Sequence, residues 1–186
     1  MNIFIKNFKP SYILNNFAEI TQYYLINNDI KIIICDLNNT LISKYNLNIK
    51  KEVLEFLNLI KNLKIKLYIV SNNTRNNVNH FMQYIPKDLY DNFIWNAKKP
   101  LIKKVQKTFT LLKQYESNQI LVIGDQFITD IWFANKMKYH SLLLININEN
   151  KKLNLKNYLF NIINKFIYKN ILLKQEINHI SKYKNN

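Results

Sequence analysis

Four short apolar runs constrain this chain more than any other feature: Lys31 to Cys35, Leu67 to Val70, Ile120 to Ile123 and Ser141 to Ile145. Each is apolar throughout rather than alternating, as expected of strands buried on both faces of a parallel sheet. Between them, apolar residues recur at three-to-four spacing: Val53, Phe56, Leu57 and Ile60; Val78, Phe81, Met82 and Ile85; Val105, Phe109 and Leu112. That is the helical period. Strand and helix in alternation predict an α/β domain with a doubly wound parallel sheet and right-handed crossovers. Ligands of such folds bind beyond the carboxyl ends of the strands. Asp36, Ser71 and Asp125 each stand within two residues of the end of a run, so the topology would bring them to one crevice.

Composition narrows the class. With 186 residues, 48% of them hydrophobic, the chain can bury an ordinary core and does not resemble a disordered protein. Cys35 is the only cysteine, which excludes an internal disulfide and a multi-cysteine zinc site. Met1 to Phe8 lacks the apolar core of a signal peptide, and no apolar run approaches the ~18 residues of a spanning helix. The expected location is cytoplasmic, peripheral to a membrane at most. A net charge of +15 would ordinarily point to a polyanion. Lys, Asn, Ile and Tyr are enriched together, however, while Gly and Arg each occur once, as in a coding sequence drifting toward A and T. Much of the basicity is therefore compositional, and nucleic acid is not the expected partner. Against that drift the single glycine, Gly124, stands directly before Asp125. Its retention suggests a need for glycine's backbone freedom.

Two regions follow from the pattern, a core over residues 1–150 and a tail over 151–186. The tail carries eight lysines against Glu176, and Leu155, Leu159, Ile162, Ile163 and Phe166 fall on one helical face. Such a segment either packs on the core before a frayed end or lies on an anionic membrane surface.

Four motifs occupy the loops after the strands. The first run ends in Asp36-Leu37-Asn38-Asn39-Thr40-Leu41. Ser71-Asn72-Asn73 follows the second, Ala97-Lys98-Lys99-Pro100 precedes a helix, and Gly124-Asp125-Gln126-Phe127-Ile128-Thr129-Asp130 follows the third. In this order the chain resembles the haloacid dehalogenase (HAD) superfamily, and more narrowly its cap-less type IIIA, YqeG-type phosphatases, related to mitochondrial phosphatidylglycerophosphate phosphatases. The likeness runs from about Phe8 to Ile147. One short acidic motif recurs by chance; four on their expected elements are specific.

The resemblance implies a magnesium-dependent phosphoric monoester hydrolase. Asp36 would be the nucleophile that forms an aspartyl-phosphate. Mg²⁺ would be held by Asp36, the Asn38 carbonyl and Asp125, with Asp130 in or beside that set. Asp130 could equally cap the apolar helix that follows it. Lys99 and the Ser71 hydroxyl would contact the phosphoryl oxygens, with Thr40, Asn72 and Asn73 shaping the site and binding substrate. Arg75, the only arginine, lies beside the Ser71 loop, where substrate contact and coincidence are both open. His80, His140 and His179 show no ligand spacing, and Cys35 reads as a buried strand residue. The intervals from Asp36 to Ser71 and from Ser71 to Lys99 are each consumed by one strand-helix unit, leaving no room for a cap. An uncovered crevice suits a bulky phosphate, such as a lipid head group or a macromolecule, and leaves contact with an anionic membrane or self-association open.

One position departs from the family pattern. Where it has an Asp that protonates the leaving group and then activates water, this chain has Asn38. An amide cannot exchange that proton, and general acid-base catalysis is typically worth ~10² to 10⁴ in rate. Two expectations follow: a slowed or specialised phosphatase, or a catalytically retired protein that binds phosphate or Mg²⁺ and works through interactions.

Overall fold

The structure, a computed structural model, describes residues 7–43, 47–145, 166 and 178–179. In chain order the main elements are β1 (Tyr12–Leu14), α1 (Gln22–Asn27), β2 (Ile32–Cys35), α2 (Lys51–Asn62), β3 (Lys66–Val70), α3 (Arg75–Met82), β4 (Asn92–Ile94), α4 (Lys103–Thr108), β5 (Ile120–Gly124), a π-helical turn (Phe127–Ile131), α5 (Trp132–Met137), β6 (His140–Leu144) and β7 (Asn178–His179). The strands form one sheet in the order β4-β3-β2-β5-β6-β1-β7, with parallel pairing throughout. The four long apolar runs become β2, β3, β5 and β6, within one residue of their expected ends.

Their continuity has the expected cause. Ile33, Cys35, Leu67, Ile69, Leu121 and Ile123 face one core with Val53, Phe56, Leu57 and Ile60 of α2. The alternate residues Ile32, Ile34, Tyr68, Val70, Ile120 and Val122 face a second core with Val105 of α4 and with Phe133 and Ala134 of α5. Both faces exclude water, so both positions along a strand favour apolar side chains; the buried Ser141 of β6 accepts from the Ser11 N–H at 3.0 Å.

The helix expected through Val105, Phe109 and Leu112 is broken. It ends at Thr108 and resumes as a 3₁₀ turn over Thr110–Gln114. Phe109 leaves helical geometry (φ −108°, ψ 72°) and stacks on Tyr68 of β3 with ring centroids 4.4 Å apart. Flanking threonines, poor helix formers, lower the cost of the break.

Most of the tail from 151 lies outside the described residues. Of those described there, Phe166 is helical and 60% exposed, and Asn178–His179 pairs with β1 as a strand rather than continuing a helix. Among the described residues no helix is long and apolar enough to cross a membrane.

Candidate active site

Sheet order reverses between β2 and β5: the chain runs outward through β3 and β4, then returns to add β5 and β6 on the other side. This is the switch point where open α/β sheets place their ligands. The Asp36 N–H donates to the Ile123 carbonyl at 2.9 Å, fixing the end of β2 beside the end of β5. Asp36 and Asp125 thus follow adjacent parallel strands. Beyond Asp36 a tight turn closes as Leu41 and Ile42 donate to the Leu37 carbonyl, each at 3.0 Å, and Asn39 donates to the Ile42 carbonyl at 2.8 Å. Asn39 takes φ 62°, a left-handed conformation that Asn tolerates better than most residues. These bonds use the carbonyls of Leu37 and Ile42 and not that of Asn38.

The loops after β3 and β4 are joined to each other. Ser71 N–H donates to the Ile94 carbonyl at 3.0 Å, Ala97 N–H to Ser71 at 2.9 Å, and Asn96 N–H to Asn73 at 2.8 Å. Asn72 then brackets the backbone of Lys99: its Oδ1 accepts from the Lys99 N–H at 2.7 Å, and its Nδ2 donates to the Lys99 carbonyl at 3.0 Å. The sequence suggested substrate contact for Asn72. Its side chain positions the lysine, and the residue also lines the crevice.

Lys99, one of many lysines in the sequence, is the exceptional one in space. Its ammonium donates to Asp36 Oδ1 at 2.7 Å and to Asp130 Oδ1 at 2.6 Å. The side chains of Lys99 and Asp130 are 2% and 1% exposed, that of Asp36 14%. Burial alone would lower the lysine pKa. The charges of Asp130 and Asp36, with their hydrogen bonds, outweigh it and hold the pKa well above its ordinary value. Lys99 is therefore a fixed cation.

Asp130 is also held by the Gln126 N–H, which donates to its Oδ2 at 3.1 Å. With one oxygen on Lys99 and the other on this backbone group, Asp130 is a counter-ion of the lysine. Among the described residues no group of three His, Cys, Asp or Glu side chains is placed to hold a metal. Asp130 lies within the π-helical turn, and the helix that follows has Ile131 at its N-cap with no side-chain cap, so the capping role expected from sequence is not filled.

Gly124 explains itself here. No glycine has a positive φ, so backbone freedom is not what the position requires. A Cβ on Gly124 would lie 2.3 Å from Asp130 Cγ and 2.4 Å from its Oδ2. Glycine is needed because Asp130 occupies the space of a side chain.

The other half of the crevice surrounds Asn38, which is 5% exposed. Its Oδ1 accepts from the Ser71 hydroxyl at 3.4 Å and from Asn73 Nδ2. Ser71 Oγ in turn accepts from the Asn73 N–H at 3.2 Å. The Asn38 Nδ2 is buried and has no hydrogen-bond partner among the described residues. A buried donor left in that state costs about 1–3 kcal/mol.

Asp36, Asn38, Ser71, Asn72, Asn73, Lys99, Gln126 and Thr129 line one crevice. Gln126 and Thr129 were visible only as letters within the Gly124–Asp130 motif. Thr40 departs from expectation: it lines a neighbouring cleft with Asn39, Asn16 and Val53 and is not part of this crevice. Arg75 does not enter the crevice either, and its guanidinium stands 5.0 Å over the Trp95 ring. Burial, followed by the Asp36 charge, pushes the Cys35 thiol up, so this cysteine is an unreactive strand residue. Burial holds the His140 imidazole below its ordinary value at the start of β6.

Comparison with known proteins gives one family. The model of the mitochondrial PGP phosphatase family matches residues 4–147. The probable phosphatase YqeG of Bacillus subtilis (strain 168) is 32% identical over 140 residues, covering 75% of this chain and 78% of that protein. A hydrolase from Streptococcus pneumoniae TIGR4 superposes with a TM-score of 0.54 at 15% identity, over 70% of this chain and 98% of the other. A HAD-superfamily hydrolase from Ehrlichia chaffeensis gives 0.51 at 18% identity, over 77% and 98%. These two likenesses show the fold.

Proposed function

The chain belongs to the mitochondrial PGP phosphatase family, whose members are HAD-type phosphatases, and on that premise we propose that it hydrolyses phosphoric monoesters through an aspartyl-phosphate on Asp36. The observation that carries this reading is the buried Lys99 ammonium bound to Asp36 and Asp130 at the carboxyl ends of the strands. Burying a lysine is costly unless a site requires its charge at a fixed point.

The residues present fit Mg²⁺. One cation, Lys99, is shared by Asp36 and Asp130, and Asp125 follows the adjacent strand, leaving excess negative charge where a phosphoryl dianion must approach. Hard oxygen donors stand at the two strand ends, and the turn leaves the Asn38 carbonyl out of its own hydrogen bonds. Bound there, Mg²⁺ supplies the positive charge that lets a dianion meet a carboxylate. Asp36 attacks phosphorus with the carboxylate oxygen not held by Lys99. Lys99 neutralises charge beside the transferring group, and Ser71 and Asn73 hold the Asn38 side chain at its edge. Asn38 cannot relay a proton, so turnover is slow.

A lipid phosphate fits the surroundings of the crevice. From Asn92 to Tyr115 the chain has five lysines besides the buried Lys99 and no acid, and Leu101, two residues from Lys99, is 58% exposed. A cationic rim with an exposed apolar residue suits an anionic bilayer bearing the substrate. The basic tail is the second such element, and salt-sensitive co-sedimentation with anionic but not neutral vesicles is its test. Asn38 is the observation that favours the alternative, a retired phosphate- or Mg²⁺-binding protein.

Phosphate release by the full chain separates the two, with an aryl phosphate and phosphatidylglycerophosphate as substrates. Release that needs Mg²⁺ and is lost in Asp36→Asn supports the phosphatase. Binding of Mg²⁺ and phosphate without release from either substrate supports the alternative.

A further inference from the structure

Resting on the phosphatase reading, we propose that Asp36 is a long-lived phosphoryl acceptor. It is charged by donors whose leaving group departs without a proton, acyl phosphates above all, and the Asn38 amide holds the phosphoryl group by donating to one of its oxygens.

The Asn38 amide is directional. Its oxygen faces Ser71 Oγ and Asn73 Nδ2, and its nitrogen is the atom left buried and unpartnered among the described residues; Asn38 itself lines the crevice with Asp36 and Lys99. A protonated carboxylic acid at this position would present the same shape, an acceptor turned to Ser71 and Asn73 and a second atom that donates. Asn38 is thus a fixed image of the acid form. It offers the hydrogen bond and cannot release the proton. What satisfies the unpaired N–H is an acceptor oxygen on whatever fills the crevice, and beside Asp36 and Lys99 that is a phosphoryl oxygen.

The chemistry of each step follows. An Asp36 carboxylate oxygen attacks phosphorus, the Asp36 O–P bond forms, and the bond from phosphorus to the leaving oxygen breaks with its electron pair on that oxygen. A carboxylate leaving from an acyl phosphate is stable as the anion and needs no proton. An alkoxide needs one, which the Asn38 amide cannot give and the Lys99 ammonium, held charged by Asp36 and Asp130, gives up poorly. In the second step water must attack phosphorus, returning the electron pair to Asp36 and surrendering a proton. The Asn38 nitrogen has no basic lone pair, its oxygen is already engaged by two donors, and Asp130 is turned to Lys99. The first step therefore proceeds with the right donor while the second stalls.

The test uses the full chain with Mg²⁺ and acetyl phosphate, followed by removal of the donor and intact-mass measurement. Wild type should retain one phosphoryl group that hydroxylamine removes, and Asp36→Asn should carry none. Asn38→Asp should carry none after donor removal while releasing phosphate continuously from the same donor. Independently of turnover, Asn38→Ala should bind inorganic phosphate about tenfold more weakly than wild type, the loss of one hydrogen bond to a charged acceptor. Continuous phosphate release by wild type without a retained group would overturn this inference and leave the phosphatase standing, as would equal lifetimes of the group in wild type and Asn38→Asp. Neither a retained group nor phosphate release from wild type or Asn38→Asp would overturn both.

Discussion

The two halves of the crevice face each other and are built on opposite principles. On the Lys99 side every charged atom with a described contact is held: the ammonium by Asp36 and Asp130, Asp130 by the Gln126 backbone, and the Lys99 backbone by Asn72. On the Asn38 side the acceptor is doubly engaged while the donor is buried with nothing against it among the described residues. The closed half is an electrostatic scaffold that stands without ligand. The open half is completed only by what binds. Substitutions in the first should therefore act mainly on stability, and those in the second on chemistry.

The largest stability effect is expected from Lys99→Met, which leaves Asp36 and Asp130 together without their cation. Breaking a buried pair costs about 3–5 kcal/mol, measurable as a shift in the denaturant midpoint. Because the folded pKa of Lys99 is raised, the stability it confers is fully present below the ordinary lysine value and is lost only as pH rises through the higher folded value. The gap between wild type and Lys99→Met should stay constant over about pH 6 to 9, below the ordinary lysine value. A gap that closes within that range would show that Lys99 is not a fixed cation.

Next in size is Gly124→Ala. The new methyl would require Asp130 to move, and overpacking of this kind costs about 1–3 kcal/mol. Because displacing Asp130 also disturbs Lys99, phosphate release should fall with stability. Asn72→Ala should cost least, about 1 kcal/mol for the two bonds to a partly solvated backbone. A loss of phosphate release larger than that stability change would show that the clamp also sets the lysine's aim.

How much of this was legible beforehand depended on the length of the signal and the number of partners. β2, β3, β5 and β6 could be read because both faces are buried and apolar residues run together over at least three positions in each. β1, β4 and β7 are two or three residues long and carry no such run. The break at Phe109 depends on Tyr68, some forty positions earlier, and nothing local announces it. The same holds at the site. Asp36, Ser71, Lys99 and Asp125 were recognisable from motif order. That Asn72 grips Lys99, that Asp130 pairs with Lys99, and that Thr40 faces a different cleft are matters of which loop lies against which. Gly124 was conspicuous as the only glycine, but its reason is the Asp130 side chain rather than its own backbone.

The central claim is that this site keeps the machinery of its family except for one proton carrier. Steady-state phosphate release from an alkyl phosphate by Asn38→Asp against wild type, both with Mg²⁺, tests it most directly. A rise of about 10²-fold or more is expected, exceeding the gain on an aryl phosphate, whose leaving group needs less help. Equal rates for the two proteins on the alkyl ester, with Asn38→Asp folded and binding Mg²⁺, would contradict it.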